Sequence, residues 1–192
     1  LFRALLDVQS FDLEAVKSVG RTPGHVEIDS SFYANPHTAG CAVNMVDVSV
    51  LSALETDADF NVNVLTGFDG IIMTGPGGHS DTAAGSKLTV IGIPLIRNRV
   101  PCVVDRVGTV VTPGETVDVV VTEYGVAVNP KRADLLKALE GSSLRLMDIK
   151  ELVQKARDIA GIPEKPRFTK DIVALAEYRD GTIIDVVRKP DR

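Results

Sequence analysis

Three of the four residues from Gly75 to Gly78 are glycine, and His79, Ser80 and Asp81 follow directly. Residues without a Cβ let backbone N–H groups converge and let a ligand approach the chain closely. A helix beginning at Ser80 or Asp81 would add positive potential at the same place, so the stretch suits an oxyanion or a carboxylate. It does not suit a nucleotide cradle. Ser80 stands where G-x-G-x-x-G needs its third glycine, and the run G-x-x-x-x-G-K-[ST] is missing. Composition alone favours a turn whose glycines serve only backbone angles and packing.

The elements that must position this turn are mostly strands. "FDLEAVKSVG" carries Phe11, Leu13, Val16 and Val19 on one side of a short helix closing on Gly20. "HVEID" reads as a strand, and "VDVSVLSALE" alternates Val46, Val48 and Val50 as a strand buried on at least one face. "NVNVLTG", "GIIMTG", "KLTVIGIPL" and "PCVVDRVGTVV" continue the β signal, while "TVDVVVTEYGVAV" holds two short strands around Tyr124-Gly125. The Pro-Gly order in "TPGE" predicts a type II turn. "NPKRADLLKALE" predicts a short helix. "DIKELVQKARDIAG" predicts a longer one, with Asp148 as N-cap, apolar residues at 3.6-residue spacing and Gly161 after its end. Asp180-Gly181 between two β runs predicts a type I′ hairpin. Together these predict an α/β fold: a mixed, mostly parallel sheet with flanking helices and an antiparallel margin.

At 192 residues the chain has the length of a single domain, residues 1–192, with a full core. With 44% hydrophobic residues, 5% aromatic and no Trp, that core must come from Val, Ile, Leu and Ala. The formal net charge of −5, without clustered Lys and Arg, argues against a nucleic-acid partner. Apolar runs are strand-sized, so no membrane span is expected; with no secretory segment visible, a cytoplasmic location is expected. Cys41 and Cys102 lack companion ligands and read as reduced, buried thiols; His25, His37 and His79 share no metal-ligand spacing. The opening "LFRALLDVQSFDLEAV" has no Met and suggests a piece of a longer protein.

From Gly75 to Pro130 the order and spacing of segments resemble the second-half domain of CoA-transferases, and "SSFYANPHTAGCAVNMVDVSVLSALETDADFNVNVLTG" extends the likeness upstream. The wording of "FDLEAV", "DFNVNVLTG", "GGHSDTA", "TPGETVDVVVTEYGVAVNP" and "YRDGTIIDVV" is similar to the citrate lyase α-subunit family, the citrate CoA-transferases. The resemblance implies a NagB/RpiA/CoA-transferase-like fold. It also implies exchange of acyl groups between an acetyl thioester, of CoA or of an acyl carrier protein's prosthetic group, and citrate, with no cofactor bound covalently in this chain. Implied partners are the N-terminal half of the α subunit, the lyase β subunit and the acyl carrier protein. This chain would be the C-terminal half, and inactive alone. Association into an oligomer is expected of an α/β half that exposes an apolar face. A sugar-phosphate isomerase or a non-catalytic CoA- or carrier-binding module on the same fold is the alternative.

Such chemistry asks for N–H donors where the thioester oxygen turns negative, and Gly77 and Gly78 are the candidates. His79 either bonds a substrate carboxylate or sets the loop, and Asp81 reads as a cap. Arg97, Arg99 and Arg106 are candidate cations for a polyanionic substrate. Asn35, with His37 and Gly40, is placed in a substrate-facing loop by the resemblance. Many CoA-transferases use a glutamate in an S-E-N-G segment that this chain lacks; Asp12 and Glu14 are the nearest carboxylates in "QSFDLEAV", and Glu14 is the candidate. The missing motif agrees with direct attack of the substrate carboxylate on the thioester.

Overall fold

In a computed structural model, residues 3–10, 12–164 and 166–191 are described. In chain order, the first segment contains β1 (Leu5–Asp7), α1 (Leu13–Ser18), β2 (His25–Glu27) and α2 (Ser30–Ala34). The middle contains β3 (Val48–Ser52), β4 (Glu55–Asp57), β5 (Val62–Asn63), α3 (His79–Gly85), β6 (Leu88–Gly92), β7 (Ile96–Arg97), β8 (Val100–Pro101) and β9 (Val103–Val104). Then come β10 (Val119–Thr122), β11 (Gly125–Val128), α4 (Ala133–Ala138), α5 (Ile149–Ala160), β12 (Phe168–Glu177) and β13 (Ile183–Pro190).

The β-branched runs form a four-stranded sheet in the order β11-β10-β6-β3. β3 runs parallel to β6, with Val50 beside Val90, and β6 runs parallel to β10, with Val90 beside Val119. β11 returns antiparallel to β10 at the margin. A second sheet, β5-β4-β9, leans on it, and the mixed, mostly parallel α/β architecture read from the sequence is what the chain adopts. α5 begins with a capping box, in which Asp148 and Glu151 satisfy two backbone donors that the first turn leaves free. It buries Ile149, Leu152, Val153 and Ala156 in one cluster with Ile91, Val120 and Ala127. α3 lies on the same side of the sheet, where Thr89 Oγ1 donates to Ala83 O at 3.0 Å. Both cysteines are free and buried.

Several expectations are corrected. β3 does bury one face, but that face is Ser49 and Leu51, whereas Val48 and Val50 are 54% and 73% exposed. Period-two spacing says which residues share a face, not which face meets the core. Helix α1 forms, yet its apolar side is open, with Leu13 66% exposed; Phe11 lies outside the described residues. "GIIMTG" contributes only an isolated bridge between Thr66 and Ile72, not a strand. The "TPGE" turn is not type II. Gly114 has no positive φ and starts a short 3₁₀ turn, Gly114–Thr116. Its lack of a side chain answers to crowding, since a Cβ there would overlap Asp59 O. The β12–β13 hairpin is present, but only Gly181 is left-handed (φ 86°), and Tyr178 O accepts from Gly181 N. That is a type I turn closed by a glycine bulge, not a two-residue type I′ turn.

Candidate functional site

Parallel strands deliver their carboxyl ends to one edge of a sheet, and ligands of open α/β folds lie in the crevice outside that edge. Here β3 ends at Ser52 and β6 at Gly92. The connection entering α3 reaches the same edge, because a helix between two parallel strands runs back against them. The result is a cleft of about 310 Å³ lined by Ser52, Ala53, Thr74, Gly75, His79 and Arg97, among others. Arg97 also borders a second cleft of about 290 Å³ with a more apolar lining, which includes Leu54, Phe68, Met73 and Glu55.

The glycine turn is shaped by two different demands. Pro76 O accepts from His79 N at 3.2 Å, which closes a turn with Gly77 at φ 53°, in the region that favours glycine. Gly78 precedes α3 as its N-cap, and a Cβ there would stand 2.8 Å from the Tyr33 ring. Tyr33 in turn donates its hydroxyl to Thr82 Oγ1, which tethers α2 to α3 beneath the turn. Neither the Gly77 nor the Gly78 N–H donates to an acceptor among the described residues. Both donors are unpaired there, but Gly77 and Gly78 do not themselves line the cleft, which takes Gly75, Pro76 and His79 from this stretch.

His79 is committed to the scaffold. Its Nε2 lies 3.0 Å from Ser52 O, and a carbonyl can only accept, so Nε2 carries the proton. Nδ1 then accepts from the Thr112 hydroxyl at 2.7 Å. One imidazole thus ties the start of α3 to the end of β3 and to the strand-like segment around Thr112. Burial pushes its pKa below the ordinary histidine value, opposed by the bond to the Ser52 carbonyl, which keeps the ring neutral. Of the two sequence-level roles for His79, this geometry fits loop setting.

The remaining candidates divide by place. Arg97 is exposed at the rim and donates through Nη2 to Ala53 O at 3.3 Å, which anchors the guanidinium at the cleft wall. Arg99 does not line this cleft. It occupies the tip of the β7–β8 hairpin with Asn98, both left-handed at φ 68° and 49°. Arg106 is exposed in the loop after β9. Asn35 ends α2 and spends its side chain locally, donating to Ser31 Oγ at 3.0 Å and accepting from His37 N at 2.9 Å. It flanks the glycine turn through Tyr33 but does not line the cleft. Glu14 is farther from this role: it sits exposed on α1, paired with Lys17 at 2.7 Å. Asp81 does not cap α3. Its Oδ1 is buried without a hydrogen-bond partner, 3.5 Å from Arg179 Nε, and burial raises its pKa against the pull of that guanidinium.

Sequence reasoning missed the polar groups behind the cleft. Asn63 is fully buried and donates to Glu55 Oε2 at 2.8 Å and to Thr66 O at 2.8 Å, while Gly108 N donates to the same Glu55 oxygen at 3.0 Å. Buried polar side chains need such partners. The signal was there in outline, as polar residues interrupting "NVNV" and "LETD". Their partners, 3 to 53 positions away, leave no local pattern. Among the described residues no group of His, Cys, Asp and Glu could hold a metal ion, and no helix is long and apolar enough to cross a membrane.

Comparison with known proteins supplies what geometry cannot. A family model described as "Citrate lyase, alpha subunit (CitF)" matches residues 1–190. The citrate lyase alpha chain of Klebsiella pneumoniae is 51% identical over 189 residues, 98% of this chain and 37% of that protein. The Escherichia coli K12 alpha chain is 49% identical over 189 residues, with the same coverage. A Streptococcus mutans crystal structure, of a protein assigned as the alpha subunit of citrate lyase in complex with citrate, superposes with a TM-score of 0.95. It is 48% identical, covering 98% of this chain and 37% of that one. A point mutant of RipA, 22% identical with a TM-score of 0.51 over 77% of this chain and 34% of its own, shares the fold alone. The chain thus spans 37% of the length of the curated relatives it matches.

Proposed function

Because the chain belongs to the citrate lyase alpha-subunit family, we propose that it supplies part of the site that exchanges acetyl for citryl on a thioester. The observation that carries this reading is the family match over residues 1–190. It is supported by the cleft at the carboxyl ends of β3 and β6, lined by Arg97 and by Gly75 and Pro76 of the glycine turn, with the Gly77 and Gly78 N–H groups, unpaired among the described residues, next in the chain beyond that lining.

In the proposed reaction a citrate carboxylate oxygen attacks the thioester carbonyl carbon, and the carbonyl oxygen becomes an oxyanion. The N–H groups of Gly77 and Gly78 meet that charge; each well-placed donor is worth about 3 kcal/mol of barrier. Collapse expels the thiolate and leaves a mixed anhydride of acetate and citrate. The thiolate then attacks the citryl carbonyl, acetate departs, and the citryl thioester remains. Arg97 holds a carboxylate of citrate by charge-assisted bonds. His79 positions the turn and keeps its proton throughout, and Arg99, Asn35 and Glu14 are assigned no step. The thioester is that of CoA or of a carrier protein, and the rest of the α subunit completes the site.

The experiment is transfer of label from free acetate into acetyl-CoA, with citrate as alternative acceptor. It is run with this chain, with the remainder of the α subunit, and with the two recombined. Exchange on recombination is expected. A recombined, folded pair that binds acetyl-CoA yet exchanges no label would overturn the transferase reading and leave a binding module.

A further inference from the structure

The two faces of the central sheet are treated very differently. On one face, Ser49, Thr89, Ile91, Val120 and Ala127 are buried, and both α3 and α5 pack there. The other face is equally apolar, carrying Val48, Val50, Leu88, Val90, Val121 and Val126 in register. Near β11 it is covered, with Val119 and Val128 each 8% exposed. Toward β3 it opens, with Val48 at 54% and Val50 at 73% exposure, and Leu88 and Val90 half-buried.

β3 shows that this openness is not a water-facing design. A strand with one wet face puts polar residues outward and apolar ones inward. The first three residues of β3 do the reverse, turning Ser49 in, where its hydroxyl bonds Thr89 at 3.3 Å, and Val48 and Val50 out; only Leu51 and Ser52 follow the ordinary order, Leu51 inward and Ser52 outward. Strands of parallel sheets are apolar on both faces because a layer covers each. β3 is also the last strand of its sheet, so its outer edge is unpaired among the described residues. Most of the length of the family's α subunits lies outside the matched segment, since this chain accounts for 37% of them.

We propose that the Val48/Val50 face is an intramolecular interface, covered in the full α subunit by an apolar helix from the part of that polypeptide outside these 192 residues. The proposal rests on the sheet and on family length, not on acyl transfer, so a failed exchange assay leaves it standing.

The test uses the full-length α subunit with Val48→Cys or Val50→Cys, and peptide-resolved rates of maleimide labelling in the folded and the urea-unfolded subunit. An interface side chain that reacts only through local opening should label at least about tenfold more slowly when folded, at every dilution. A photo-crosslinker at position 50 should join a peptide of the same polypeptide outside this segment. Slowing of less than about tenfold, protection that fades on dilution, or a crosslink to a second copy would each overturn the proposal. Hydroxyl-radical footprinting of the peptide containing Val48–Ser52 in the unsubstituted subunit reads the same burial should either cysteine disturb folding.

Discussion

Replacing His79 probes the joint on which the cleft depends. His79→Ala removes the donor to Ser52 O and the acceptor of the Thr112 hydroxyl. Each bond is worth about 1 kcal/mol net, and a partner left unpaired away from water adds about 1 kcal/mol or more, so the loss should total roughly 2–4 kcal/mol. With a urea slope of about 2 kcal/mol/M, the unfolding midpoint should fall by roughly 1–2 M. His79→Gln keeps a neutral donor for Ser52 O and should lose about half as much. The pH dependence then isolates the titration. Burial lowers the folded-state pKa of His79 below its ordinary value of 6.5. Between those two values the unfolded chain binds the extra proton, so this group's contribution falls as pH drops through 6.5 toward the folded value. Only the unsubstituted protein pays that penalty. The stability gap between it and His79→Gln should therefore narrow on acidification from pH 7 toward 5. A gap that stays constant or widens would refute the neutral, doubly bonded imidazole on which the description of the site rests.

Arg97→Ala should raise the citrate concentration for half-maximal exchange roughly thirtyfold, the equivalent of about 2 kcal/mol for a charge-assisted bond. Glu14→Gln, on the exposed Glu14–Lys17 pair, should leave exchange unchanged, and a loss there as large as at Arg97 would put the reacting centre elsewhere. Gly114→Ala should destabilise the chain by about 3 kcal/mol, lowering its melting temperature by roughly 6–12 °C. The new Cβ would overlap Asp59 O, and that backbone cannot withdraw while Asp57 Oδ1 holds Asp59 N and Asn61 N at 3.0 Å each. An unchanged melting curve would show that the 3₁₀ turn gives way more easily than these bonds imply.

What the sequence disclosed depended on how local the cause was. α5 was legible from end to end, because its cap, its apolar stripe and its closing Gly161 all lie within fourteen residues of "DIKELVQKARDIAG". The two short strands around Tyr124-Gly125, β10 and β11, were legible for the same reason. Where a distant partner decides, the pattern underdetermined the outcome. Val48 and Val50 were rightly grouped on one side of a strand, yet only the Ser49–Thr89 bond and the helices behind it settle which side is inward. Gly114 was correctly marked as a residue that needs to be glycine, but the reason lies 55 positions upstream at Asp59, not in its own φ.

The cleft repeats this division with more at stake. The glycine run pointed to a turn that a ligand can approach, and that inference needed nothing beyond missing Cβ atoms. It could not say that the imidazole next in line is spent on Ser52 and Thr112, 27 and 33 positions away, or that Tyr33 fixes Gly78 from 45 positions upstream. Those three ties converge on one short turn from three separate stretches of chain. The two imidazole bonds are worth about 1 kcal/mol each, and the Tyr33 ring adds only packing against Gly78. In the proposed reaction they would hold two N–H groups in place, and fixed donors lower a barrier where mobile ones would have to reorganise as charge develops. A residue that touches no substrate can therefore govern the rate. If the acyl-transfer reading holds, Thr112→Val, which removes the hydroxyl but keeps the shape, should depress the turnover rate more than the half-saturating citrate concentration.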